Sequence, residues 1–463
     1  MQHSEHKPVP EGERSLKASD LFFIWFGAAI AISEIWGGGL PSLAGVGLAA
    51  GLVAILIGRV IGNGLMGAMA AIGARSGLPT MVLTRPAFGI RGSILPAAFN
   101  VIQLLGWTGW MLFVGFLYMD KLAEFTGLPT SADLPAMKYV WIILLGALCM
   151  LWAAGGQKFW RTVQSISAVL LFVLTLAMTW IVLRSNAAPT LDFSGAGPLQ
   201  MLAAADVVVA MSISWLPLVA DYSRFSNSPR ASAAGTFWGY FVGGTWMYAV
   251  GLLVASSHGI TSFDSITPDG LVIETMGSAG LGWALAAIVL VLISTVTTTF
   301  LDIYSCVVSS QSLVPSIRDR TGNIVTGVLG ILIALFLDTA IFEPFLLAIG
   351  AIFLPIFVIV LLWHYLPRTA QFDPAEIDNR RGPYWYMSGF NLPALLAWIV
   401  GFVVYDWARG FGSISYFAEL LGITIEGNEL AIGSSLPCIL ATAAAYILLV
   451  KLMPASQPRG QSD

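Results

Sequence analysis

The sequence predicts an all-α polytopic membrane protein of twelve membrane-crossing helices, and three observations predict it. Of 463 residues, 57% are hydrophobic and only 10% are charged. The apolar residues mass into blocks of about 20, the length that crosses a bilayer as helix, instead of alternating at strand or surface-helix period. Lys and Arg, finally, fall unevenly between successive loops. The blocks centre near residues 30, 58, 107, 147, 174, 209, 245, 295, 332, 354, 399 and 442. Almost nothing is left for a soluble domain.

The chain opens on a polar tail, residues 1–18, without the charged-apolar-small pattern of a cleaved signal, so a cytoplasmic tail is expected. Spans 1–5 then occupy 19–184 and spans 6–10 occupy 199–365. A cytoplasmic loop, 366–389, precedes spans 11 and 12 at 390–453, and 454–463 form a second tail. With the N-terminus inside, seventeen Lys and Arg fall in cytoplasmic segments and only Lys121, Lys138, Arg184 and Arg409 on the far side. That bias sets orientation, with both termini cytoplasmic in a bacterial inner membrane. The one remaining cation, Arg59, lies inside the second apolar block.

A net charge of -4 and a pI near 5.6 argue against a nucleic-acid partner. Cys149, Cys306 and Cys438 lie in apolar blocks without CxxC spacing and read as packing residues. The four histidines, His3, His6, His258 and His364, are terminal or near loops, and neither HExxH nor a GxSxG context occurs, so no enzyme is expected.

Polar groups at membrane depth are the candidates for function, because a charge near the bilayer centre costs several kcal/mol unless it faces protein or water. They are Glu34, Arg59, Asp302 and the hydroxyl run Ser294, Thr295, Thr297, Thr298 and Thr299. Helical rise puts Glu34 and Arg59 at similar heights, about 20 Å above the cytoplasmic end. A buried ion pair that only fixes packing is therefore one reading of Glu34. The other starts from "GGGLP", residues 37–41, expected to stop helical hydrogen bonding just beyond Glu34 and to free backbone groups for a site. In "MSISWLPLVADYSRF", residues 211–225, Pro217 interrupts span 6 as well. Paired breaks in spans 1 and 6 are what transporters built from two inverted five-helix repeats show where substrate sits.

"GARSGLPTMVLTRPAFGIRGSILPAAFNVIQLLGW" (73–107), "ADYSRF" (220–225) and "STVTTTFLDIYS" (294–305) resemble the nucleobase:cation symporter family 1, which includes cytosine permeases and hydantoin transporters. The likeness runs from about residue 15 to about residue 370. "WFGAAIAISEI", "IQLLGWT", "SWLPLVADYSRF" and "TTTFLD" look most like the hydroxymethylpyrimidine permease branch, linked to thiamine precursors. The resemblance implies a leucine-transporter-like fold with spans 11 and 12 as additions. It also implies a cation-coupled importer of a small aminopyrimidine, hydroxymethylpyrimidine or cytosine, working as a monomer. Another nucleobase, a hydantoin-like ring, or an amino acid or betaine carried on the same fold are the alternatives.

The same resemblance places an aromatic of span 3, here Trp107, against the heterocycle. Span 6 has Met211 and Ser212 where a backbone contact and a second aromatic are expected, with Trp215 about one turn on. Glu34 falls where relatives carry a polar side chain that hydrogen-bonds substrate, and a carboxylate there favours an amino-substituted ring over a dioxo ring. Gln103 and Asp302 are further candidates, although Gln103 suits a neighbouring backbone group equally. For the coupling ion, resemblance implies sodium held by carbonyls of Ile30 and Ser33 and by Ser294, Thr297 and Thr298. Threonines in membrane helices also bond back to their own turn. Buried carboxylates leave proton coupling open.

Overall fold

The computed structural model describes residues 7–43, 45–154, 157–185, 188–195, 197–259, 267–366, 372–410, 412–419, 422–425, 427 and 430–453. Nine helices among them are long and apolar enough to cross a bilayer, and the bent pair Ala18–Ala29 and Ile32–Gly39 makes a tenth. Two shorter apolar helices, Ala136–Trp152 and Leu392–Ala408, stand where the fourth and eleventh blocks are expected. All twelve block centres thus fall on a helix, except the first, which falls on the bend itself.

Span 1 breaks earlier than the glycines suggest. Helix ends at Ala29, Ile30 turns out of it at φ -82 and ψ 71, and helix resumes over Ile32–Leu43, bent by 62°. "GGGLP" therefore continues a helix, and its glycines serve close packing instead. A Cβ on Gly38 would collide with the backbone of Tyr248 in span 7 (Pro229–Ser257), and one on Gly251 would collide with the Ile35 carbonyl. At these two crossing points the backbones approach too closely for a side chain.

The interruption in span 6 is milder. The helix Pro198–Trp215 tightens into a 3-10 turn over Leu216–Leu218 and resumes over Val219–Ser223. Pro217 offers no backbone N–H and cannot continue the α ladder, but the i→i-3 pattern keeps the Leu216 amide on the Ile213 carbonyl. The chain changes pitch without opening.

Packing divides the helices. Spans 1, 2 (Leu48–Ser76), 6 and 7 form one four-helix group, and spans 3 (Ile94–Thr126), 4 (Ala136–Ala154), 8 (Leu281–Leu313) and 9 (Asp319–Phe336) form another. Span 5 (Gln157–Arg184) touches both, and span 10 (Phe342–Tyr365) packs on span 6. Spans 11 (Leu392–Ala408) and 12 (Ser435–Leu452) pair with each other against span 10, outside both groups. Outward-facing positions remain apolar, with Leu151 69% and Phe336 87% exposed, as a lipid-facing surface requires.

The N-terminal tail is not free along its length. From residue 9 it lies across the ends of spans 2 and 6: the Val9 amide donates to Gly77, Arg14 to the Ala74 carbonyl at 3.1 Å, and the Leu16 amide to Phe225 at 3.0 Å. The segment after span 2 is buried and doubly tied, since Thr80 donates its amide to Asp221 at 3.0 Å and accepts from the Ala220 amide at 2.8 Å. Residues 372–391 pack on this segment, where Asn391 donates to Ala87 at 2.6 Å and Arg85 pairs with Asp378.

Candidate functional site

A narrow cavity lies between the two helix groups. Span 3 supplies Gln103, Leu104, Trp107 and Met111, and span 8 supplies Thr298 and Asp302. From the other group come Met211, Ser214, Trp215 and Leu218 of span 6, and Ser33 from just past the break in span 1. The wall is mostly apolar with a few polar groups, as small-molecule sites are. Two indoles face it, one from each group. Trp107 is backed edge-on by Phe345 at 5.5 Å, and Trp215 is held edge-on by Trp25 at 5.9 Å.

Its polar groups are partly unspent. Gln103 donates its side-chain NH2 to the Ser214 carbonyl at 2.6 Å, while its buried oxygen has no partner among the described residues. The facing carbonyl demands a donor and so fixes which way the amide points. Both readings of Gln103 thus meet in one side chain, half tied to backbone and half open. Asp302 is 4% exposed, lines the cavity, and makes no hydrogen bond or ion pair with any described residue. Ser214 spends its hydroxyl on the Met211 carbonyl at 2.7 Å.

Glu34 and Ser212, both expected to touch a ligand, do not line this cavity. The Glu34 carboxylate is taken up by Arg59 and by the Tyr240 hydroxyl. Arg59 is fully buried, donates also to the Gly244 carbonyl at 3.2 Å and to Ser212 at 3.4 Å, and its guanidinium sits 4.9 Å and 4.3 Å from the ring centres of Tyr240 and Tyr248. Ser212 in turn donates to Asn63 at 3.0 Å. The helical phase explains the outcome: Met211, Ser214, Trp215 and Leu218 share one face of span 6 and Ser212 points off it. A small residue at 212 therefore adds no space to the cavity.

The oxygens expected to hold a coupling ion are only partly gathered. Ser294 reaches the Ile30 carbonyl at 3.4 Å across the break, and Ser33 and Thr298 both face the cavity. Thr297 instead donates to the Ser294 carbonyl at 3.0 Å, and Thr299 to Thr295 at 2.7 Å, the back-bonding open to any membrane threonine. The unwound residues Ile30 and Ala31 are the only ones of span 1 outside helix between Ala18 and Leu43.

Residues 8–422 match a family described as "Permease for cytosine/purines, uracil, thiamine, allantoin". The chain belongs to that family. It is 24% identical to a putative purine-cytosine permease of Bacillus subtilis (strain 168), over 96% of this chain and 94% of that one. It is also 24% identical to a hydantoin permease of Microbacterium maritypicum, over 86% of this chain and 82% of the relative. Its fold superposes on that of Mhp1, a nucleobase-cation-symport-1 family transporter. The inward-facing structure gives a TM-score of 0.75 at 20% identity, covering 99% of this chain and 98% of Mhp1. A closed structure with bromovinylhydantoin bound gives 0.74.

As a member of this permease family the chain is a membrane transporter of nucleobase type, not an enzyme, and its architecture is the leucine-transporter-like one. Within this permease the cavity also holds four residues that the motifs did not single out: Leu104, Met111, Ser214 and Leu218. A signal for them existed. Met111 lies one turn beyond Trp107, and Ser214 and Leu218 lie three and seven residues beyond Met211, all on faces defined by residues already singled out.

Proposed function

We propose that this permease imports a small amino-substituted pyrimidine, hydroxymethylpyrimidine or cytosine, across the bacterial inner membrane. The observation that carries the reading is the pair of unspent acceptors, Asp302 and the Gln103 side-chain oxygen, in a cavity faced by Trp107 and Trp215. A flat ring stacks on an indole, and an exocyclic amine brings the donors those acceptors lack. Asp302 takes the reading role that the sequence suggested for Glu34, with Met211 and Trp215 shaping the opposite wall. Uracil-like rings would turn a carbonyl oxygen toward a carboxylate and pay for it.

Sodium is the proposed co-transported ion, with the Ile30 and Ser33 carbonyls and the hydroxyls of Ser294, Thr297 and Thr298 as its ligands. Sodium is a hard cation and takes oxygen ligands, and Ser294 already reaches the Ile30 carbonyl. Thr298 already faces the cavity, and Thr297 would turn from its own helix toward the ion. A proton on Asp302 is the competing coupling ion. The protein acts as a monomer with both termini cytoplasmic, the side favoured by its Lys and Arg.

A binding panel on the purified protein tests this reading: hydroxymethylpyrimidine, thiamine, cytosine, uracil, hypoxanthine and hydantoin, each with and without sodium. Amino-pyrimidines should bind tightest and raise the melting temperature most. Hydantoin or hypoxanthine binding tenfold tighter than either aminopyrimidine would replace the substrate class while leaving the family intact.

A further inference from the structure

The Glu34–Arg59 pair touches no cavity atom, yet it joins the parts of one helix group that build the cavity. Glu34 follows Ser33, which lines the cavity, and lies three residues past the end of the break at Ile30 and Ala31. Arg59 comes from span 2 and reaches Ser212 on span 6, between Met211 and Ser214 of the cavity wall. Tyr240, Tyr248 and Gly244 of span 7 close the other side of the guanidinium. All four helices of the group meet at this one point.

The two helices that need such a tie are the ones whose own ladders are weakened. Span 1 lacks helical continuity at residues 30 and 31, and span 6 changes to 3-10 pitch at 216–218, within its cavity face. A segment past a break is oriented by its side-chain contacts, because its backbone no longer fixes the angle. Here those contacts are a carboxylate with two donors and a guanidinium with three acceptors and two rings, all out of water.

We propose that the Glu34–Arg59 pair is a positioning clamp that holds the broken half of span 1 and the cavity face of span 6 in register, so that Ser33, Met211 and Trp215 meet the substrate together. The proposal rests on the transport reading for its ligand, and on geometry alone for its mechanics. A buried pair that merely balances charge behaves differently, because removing both partners restores a neutral, well-packed interior.

Three forms separate the two: the parent, Glu34→Gln, and the double variant Glu34→Gln with Arg59→Met. The clamp predicts that the double variant regains the melting temperature lost by the single one, yet binds the parent's preferred heterocycle at least tenfold more weakly. It predicts further that backbone hydrogen exchange rises in residues 30–35 and 211–218 of the ligand-free double variant. Parental affinity and parental exchange in the double variant would reduce the pair to charge balance and overturn the clamp. If Glu34→Gln fails to fold, the double variant alone decides. Should the parent bind no nitrogen heterocycle, the transport reading falls, while the exchange measurement still judges the clamp.

Discussion

Two buried polar centres stand on opposite faces of span 6 and are built to opposite rules. Around Arg59 the charges are paired, carboxylate on guanidinium, hydroxyl on carboxylate, serine on asparagine, with rings over the charge, and only Arg59 Nε and the Tyr248 hydroxyl stay without a hydrogen-bond partner among the described residues. Around Asp302 they are held back, with a carboxylate and an amide oxygen both free of hydrogen-bond partners among the described residues. Leaving a buried polar atom unpaired costs about 1–3 kcal/mol. A protein bears that cost where something else arrives to complete the bonds. The saturated centre holds helices together, and the unsaturated one receives a ligand.

Breaking the saturated centre should have the largest effect. Glu34→Gln leaves a guanidinium buried without its counter-charge, and about 3–5 kcal/mol of stability should be lost, read as a fall in melting temperature in detergent. Arg59→Met on top of it should return most of that stability. A single variant as stable as the parent would mean that the pair is not tightly coupled.

On the unsaturated side, Trp107→Ala should leave folding yield near the parent's and weaken substrate binding by about 1 kcal/mol or somewhat more, roughly fivefold or above. Unchanged uptake at limiting substrate would remove the stacking role. Thr298→Ala should raise the sodium concentration for half-maximal binding a few-fold. If uptake into proteoliposomes ignores sodium and follows an imposed pH gradient, the hydroxyls serve only their own helix and the carboxylate carries the coupling. The smallest effect belongs to Ser212→Ala, which removes the bond to Asn63 and the long one from Arg59 and should cost about 1 kcal/mol of stability. Ligand preference should stay as it is, which sets this serine apart from its neighbours on the cavity face.

The comparison also explains which parts of the site the sequence made legible. Span positions follow from composition because a bilayer demands about 20 apolar residues whatever they pack against. Trp107, Gln103 and Asp302 are legible because polar or amphipathic groups at mid-span are few and costly. The Glu34–Arg59 pair was legible as one of two readings from the similar heights of the two residues, but the Tyr240 hydroxyl, 206 residues away on span 7, was not. The place of the break in span 1 was hidden for a related reason. Three glycines read locally as a helix stop, but Gly37 and Gly38 lie against the ring and the backbone of Tyr248, which no local pattern announces. The true break at Ile30 and Ala31 carries no glycine or proline at all.

The most direct test of the account is to exchange the one unpartnered carboxylate of the cavity for its neutral isostere. Asp302→Asn keeps shape and volume, removes the charge and turns one acceptor into a donor, so the protein should fold and melt as the parent does. Its affinity for an aminopyrimidine, measured by calorimetry beside uracil, should fall by about 10- to 100-fold, the worth of roughly 1.5–3 kcal/mol in a hydrogen bond to a charged group. Uracil should gain, because an amide can offer a donor to its carbonyl. An Asp302→Asn protein that binds both rings as the parent does would contradict the claim that the unspent carboxylate reads the substrate.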